Sequence, residues 1–149
     1  MKKILLLVLA LICLMGCGSG GNKDRENSCI YNGMYWGDEK EDIIAEKGEP
    51  VDYFPDNSIQ YNESFVIDDC RTFYYFDDEW KLNKIKVCVD SSMTSSDYIE
   101  DKVIEMYGEP MSEETDEYDF KSIKWVKGNT TIELYLMEEL GYTVEYSLK

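Results

Sequence analysis

The side chains available for chemistry in this chain are carboxylates, thiols and phenols. Histidine is absent from its 149 residues, which carry 31 Asp+Glu, 5 Cys and 12 Tyr. Without histidine the chain lacks the side chain that ionises nearest neutral pH, the commonest general base and zinc ligand. The acids gather in three runs: Asp68-Asp69, Asp77-Asp78-Glu79 and Glu113-Glu114-Thr115-Asp116-Glu117. None has the alternating acids, central glycine and distant glutamate that fold oxygens around Ca²⁺, so adjacent carboxylates should point apart into solvent. Glycoside hydrolysis needs one carboxyl with a raised pKa facing a second across a sugar-wide cleft, and no pair here is flanked by residues that would bury one alone. Ser91-Ser92-Met93-Thr94-Ser95-Ser96 has no base to activate a hydroxyl and reads as a linker or helix entry. We expect no catalytic residue, no metal and no cofactor; the chain reads as a non-enzyme.

What remains is contact. The chain has 12 Tyr, 3 Trp and 5 Phe, more than a core of this size buries completely. Tyr74, Phe76, Trp125 and Tyr135 are expected on strand faces opposite the aliphatic set, near Lys84, Lys86 and Lys124. Such a face offers large contact area with little rotamer entropy to lose, and is read as a partner-binding surface. The plainer alternative is cross-strand pairing that only stabilises the sheet. A formal charge of −16 excludes nucleic acid and other polyanions as partners.

The elements that would hold these side chains follow from periodicity. Ile43 to Pro50 and Val103 to Pro110 carry one phrase sixty residues apart: a short apolar-striped helix running into Gly-Glu-Pro. Asp38, three residues before Glu41, and Ser95 or Ser96 are placed to cap the two helices, and a glycine followed by proline stops each. On the second helix Tyr98, Ile99, Val103, Met106 and Tyr107 form the buried stripe. Afterwards the period becomes two: Ile85, Val87, Val89; Ile132, Leu134, Leu136; Val144, Tyr146, Leu148. The expected fold is α+β, a tandem duplication of a helix plus a three- to four-stranded antiparallel sheet, with residues 29–90 and 91–149 as the two repeats and each helix on its own sheet. If the hairpin centres near Glu79, Cys70 and Cys88 face one another within disulfide reach. Pairing of Cys29 with either one, or free thiols, are the alternatives.

The amino terminus has its own reading. Met1-Lys2-Lys3 precedes an apolar run from Ile4 to Met15 that is too short for a permanent span. The run ends Leu14-Met15-Gly16-Cys17, which resembles the bacterial lipobox and marks residues 1–16 as a lipoprotein signal peptide and Cys17 as the acylated residue. Residues 17–28, rich in Gly and Ser, form the flexible tether. The helix ends Gly48-Glu49-Pro50 and Gly108-Glu109-Pro110, each followed by strands, resemble the secreted β-lactamase inhibitor protein and the small lipoprotein of the outer-membrane barrel-assembly machinery. That resemblance implies a module that binds proteins and catalyses nothing. The chain is expected to be a lipid-anchored extracytoplasmic protein, attached to its membrane through Cys17 and bound to a protein partner in the cell envelope. The alternative is an accessory lipoprotein that binds a small molecule or cation.

Overall fold

The computed structural model describes residues 29–118, 120–137 and 141–149. The expected signal peptide, the Cys17 acylation site and the 17–28 tether lie outside them. Helix α1 (Lys40–Lys47) is followed by β1 (Asp52–Tyr53), β2 (Ser58–Glu63), β3 (Cys70–Phe76) and β4 (Leu82–Val89). Helix α2 (Ser96–Tyr107) precedes β5 (Ser112–Thr115), β6 (Lys121–Lys127), β7 (Thr130–Met137) and β8 (Gly141–Leu148).

All eight strands belong to one antiparallel sheet in the order β1-β2-β3-β4-β8-β7-β6-β5. This corrects the expected tandem arrangement of a helix on its own small sheet. The joint is β4 with β8, where Ile85 faces Tyr146, Val87 faces Val144 and Val89 faces Tyr142. Left apart, two apolar strands would each present a row of unpaired N–H and C=O groups to solvent. Joined, they satisfy each other's ladder and bury six apolar side chains. β8 begins on Gly141, whose φ is +105°, and a Cβ there would lie 2.5 Å from the Val89 carbonyl oxygen. Only glycine allows the backbone so close.

Both helices cover one face of this sheet. Ile43 from α1 and Ile99 and Val103 from α2 join Ile85, Trp125 and Tyr146 in one contiguous core. On α2 the expected stripe is narrower than its sequence suggested: Tyr98 and Met106 are exposed, and Tyr107 is half-buried. Ser95 caps α2, its hydroxyl accepting from the Tyr98 N–H at 3.3 Å. Asp38 does not cap α1; its carboxylate accepts instead from the Tyr35 N–H at 2.8 Å. The first N–H of α1, at Lys40, donates to the Trp80 carbonyl at the β3–β4 hairpin tip, 3.1 Å away. The helices end at Gly48 and Gly108, with φ of +86° and +78°, and there the sheet reaches back. Tyr61 Oη donates to the Gly48 carbonyl at 2.8 Å, and Trp125 Nε1 to the Gly108 carbonyl at 2.7 Å.

The proposed Cys70–Cys88 disulfide is also corrected. Near the turn the hairpin keeps its expected register, Phe76 facing Leu82, but a bulge between Tyr75 and Phe76 puts Tyr75 opposite Lys84 and Arg71 opposite Cys88. Asn83 is the added residue. One inserted residue moves the strand beyond it by one position, which exchanges the faces of its side chains. Cys70 thus points into the core and Cys88 to the other side of the sheet; Cys29, Cys70 and Cys88 are all free thiols.

Candidate functional site

Three of the four aromatic residues expected on a partner-binding face lie in the core. Tyr74 is 0%, Trp125 1% and Phe76 5% exposed. The phase of Phe73-Tyr74-Tyr75-Phe76 is undetermined by composition, because either reading puts one Phe and one Tyr on each side. Cys70, Thr72, Tyr74 and Phe76 go inward, leaving Arg71, Phe73 and Tyr75 outward. Trp125 shares the phase of Ile123 and follows it inward. Tyr135 alone among the four lies on the face that no helix covers.

That helix-free face is built from the outward positions of the sheet, its centre supplied by β3, β4, β8, β7 and β6. Arg71 and Tyr75 on β3 neighbour Lys84 and Lys86 on β4. Glu145 on β8 lies between Lys86 and Glu133 of β7, and Lys124 of β6 lies opposite Glu133. The charges are locally matched. Lys86 Nζ is 3.4 Å from Glu145, Lys124 Nζ donates to Glu133 Oε1 at 2.8 Å, and Lys84 Nζ sits 4.8 Å from the Tyr75 ring centre. Aromatic rings flank the array at both ends, Phe54 packing on Phe73 at 5.7 Å and Phe120 on Tyr135 at 6.0 Å.

Toward β5 the face sinks into a groove of about 200 Å³, lined by Ser112, Glu114, Ser122, Lys124, Glu133 and Tyr135. Tyr135 Oη donates to Glu133 Oε2 at 2.6 Å. The hydrogen bonds from Lys124 and then Tyr135 hold the Glu133 carboxyl below its ordinary pKa. Burial, followed by the bond to Glu133, pushes the Tyr135 phenol well above its own. Glu133 therefore stays ionised and Tyr135 protonated at neutral pH, and both carboxylate oxygens are engaged. This geometry suits hydrogen-bonded contact better than proton transfer.

A second polar cluster, not anticipated from sequence, lies on the helix side. Lys47, at the end of α1, donates to Glu63 Oε1 at 2.6 Å, and Tyr74 Oη donates to Glu63 Oε2 at 2.7 Å. The Lys47 ammonium also lies 5.4 Å from the Tyr74 ring centre. The signal was present: Glu63 shares the inward phase of Ile59 and Tyr61. An acid in that phase needs a partner, because an uncompensated buried charge is costly. Tyr74 is held far above the usual phenol pKa, first by burial and then by the Glu63 charge.

The acid runs serve turns. Asp77 Oδ1 accepts from the Glu79 and Lys81 N–H groups, and Asp116 Oδ1 from those of Tyr118 and Phe120. Among the described residues no group of three or more His, Cys, Asp or Glu is arranged to hold a metal, and no helix is long and apolar enough to cross a membrane.

Neither a protein-family model nor a curated protein matches the chain. Among solved structures, a DUF4309 family protein, YjgB, from Bacillus subtilis subsp. subtilis str. 168 is similar, with a TM-score of 0.51 over 74% of this chain and 78% of that one. The two sequences are 11% identical, so the likeness is one of fold.

Proposed function

We propose that this protein is an extracytoplasmic lipoprotein, held to its membrane through acylated Cys17, that binds another protein through the helix-free face of its sheet and performs no catalysis. The observation that carries the reading is how charge is distributed. On that face Arg71, Lys84, Lys86 and Lys124 balance Asp52, Glu114, Glu133 and Glu145, with Tyr75 and Tyr135 among them. In a chain of formal charge −16, acids crowd the helices, hairpin tips and loops instead. A charge-matched, aromatic patch surrounded by strongly acidic surface has the composition of an interface, and the acidic surroundings repel acidic competitors.

The leader sequence supports the anchoring half. Each buried methylene of an acyl chain contributes about 0.8 kcal/mol, so a multiply acylated Cys17 outweighs repulsion between this acidic chain and an anionic leaflet. The resemblance of the Gly-Glu-Pro helix ends to protein-binding families points toward contact as well. The test is affinity capture from envelope membranes with the full-length protein, run beside Tyr135→Ala and Lys124→Glu. A partner retained by the wild type and by a Tyr98→Ala control, and lost at least tenfold by both sheet-face variants, is the expected result. Equal retention by all four proteins overturns the assignment of the face.

A further inference from the structure

We propose a second binding site, independent of the sheet face: an aromatic cage for a quaternary ammonium compound, formed by Tyr53, Phe76 and Trp80 and occupied in the free protein by the chain's own Lys40. The Lys40 ammonium lies 4.6 Å from the Trp80 ring centre, 5.3 Å from that of Tyr53 and 6.0 Å from that of Phe76. Phe76 is buried and forms the floor; Trp80 and Tyr53, 44% and 51% exposed, form open walls. Three rings on one cation is the arrangement by which proteins recognise alkylated ammonium groups through the negative faces of the ring quadrupoles.

The backbone supplies an independent observation. Trp80 has φ of +61°, the left-handed region that glycine and asparagine enter readily and a bulky residue does not. The conformation is held from three sides. Trp80 N–H donates to the Asp77 carbonyl at 3.0 Å, the Trp80 carbonyl accepts from Lys40 N–H at 3.1 Å, and Asp77 Oδ1 takes the N–H groups of Glu79 and Lys81. Glycine or asparagine would satisfy the same backbone bonds with less strain, so the indole is what this position adds. It stands at the rim of the cage rather than in the core.

The surroundings choose the ligand. Glu49 flanks the Tyr53 wall and Glu39, paired with Lys81 at 3.6 Å, stands beside the Trp80 wall, while Asp77, Asp78 and Glu79 form the adjoining hairpin tip, a net negative field that draws cations and excludes anions. Glu49 also orients one wall, accepting from Tyr53 Oη at 2.9 Å. Lys40 is a weak resident, because a primary ammonium gives up strong hydration to approach a ring. A quaternary ammonium has no N–H groups to leave unpaired and sheds little water, so it competes for the same space despite the tether's advantage.

The test is titration of the full-length protein with tetramethylammonium chloride, against sodium chloride at equal concentration, observed by ¹H–¹⁵N spectra of the indoles. Trp36 and Trp125, whose indoles donate to Thr130 and Gly108, serve as internal references. The Trp80 indole should shift saturably at millimolar ligand while the references stay still. Lys40→Ala and Lys40→Gln should each bind about fivefold more tightly, since the loss of an exposed cation–π resident is worth roughly that factor. The Lys40 N–H to Trp80 bond is a backbone bond and survives both substitutions. A shift reproduced by sodium chloride, a response without saturation, or unchanged affinity in both Lys40 variants would each overturn the proposal.

Discussion

Glu63→Ala should be among the most damaging single changes in this protein that leave its hydrophobic side chains intact. The Glu63 and Lys47 side chains are 13% and 14% exposed and 2.6 Å apart, so the pair is mostly shielded from solvent. Removing the carboxylate strands the Lys47 ammonium against the Tyr74 ring and leaves the Tyr74 hydroxyl without its acceptor. Breaking a fully buried pair costs about 3–5 kcal/mol; the residual exposure here favours the lower end, about 3 kcal/mol, with the orphaned phenol included. At about 4 °C per kcal/mol for a chain of this size, Tm falls by roughly 12 °C. The control is Glu105→Ala, which breaks an ion pair with Lys102 whose side chains are 70% and 41% exposed. Solvent screens that pair, so the change should leave the unfolding midpoint within the scatter of the measurement. Urea titration of both variants reads the difference, and Lys47→Met combined with Glu63→Leu should recover the part of the loss due to the stranded ammonium, because an apolar pair leaves no charge behind while the Tyr74 hydroxyl still lacks its acceptor. Glu63→Ala no costlier than Glu105→Ala, or a double variant worse than the single, would refute the reasoning.

Gly141→Ala should cost about 2 kcal/mol or more, since it adds a positive-φ penalty to a Cβ 2.5 Å from a backbone oxygen. Gly128→Ala, with open space around it, should cost no more than about 1 kcal/mol by the same denaturant assay. Alkylation should add the same mass at Cys29, Cys70 and Cys88 with and without prior reduction, and Cys70 should react last because burial raises its thiol pKa and shields it. Glu133 has a depressed pKa in the folded state, so its contribution is present above the ordinary glutamate value of about 4.3 and is lost as pH falls through the lower folded value. The stability gap between wild type and Glu133→Gln at pH 7 should therefore close on acidification below about pH 4, and a gap constant down to pH 2 would contradict this.

Local periodicity told much of the structure and pairing between distant segments told little. Thr130–Met137 alternates cleanly and is a strand with those bounds, and the glycines before Pro50 and Pro110 end the two helices, because both signals lie within a few residues of the structure they cause. The β4–β8 joint that merges all strands into one sheet depends on residues nearly sixty apart and leaves no local trace. The face of β3 was illegible for two reasons: its aromatic run reads equally in either phase, and Asn83 shifts the register by one without any glycine or proline to announce a bulge. The outward face of Tyr135 was legible because Ile132, Leu134 and Leu136 fix the phase of its strand, whereas Tyr74, Phe76 and Trp125 lack so clear an aliphatic frame. Lys40 with Trp80 was hidden because the cage joins a helix start to a hairpin tip and Trp80 adopts a backbone conformation foreign to its residue type.

The most direct test of the helix-free face as the contact surface is site-specific photocrosslinking in intact cells, with a benzophenone side chain placed in turn at positions 75, 135, 98 and 118. Positions 75 and 135 lie on the face in question, and 98 and 118 carry exposed tyrosines on a helix and a loop. One discrete adduct at 75 and 135, absent at 98 and 118, is the predicted result. Adducts only at 98 or 118, or none at any position in protein shown to reach the envelope, would contradict it.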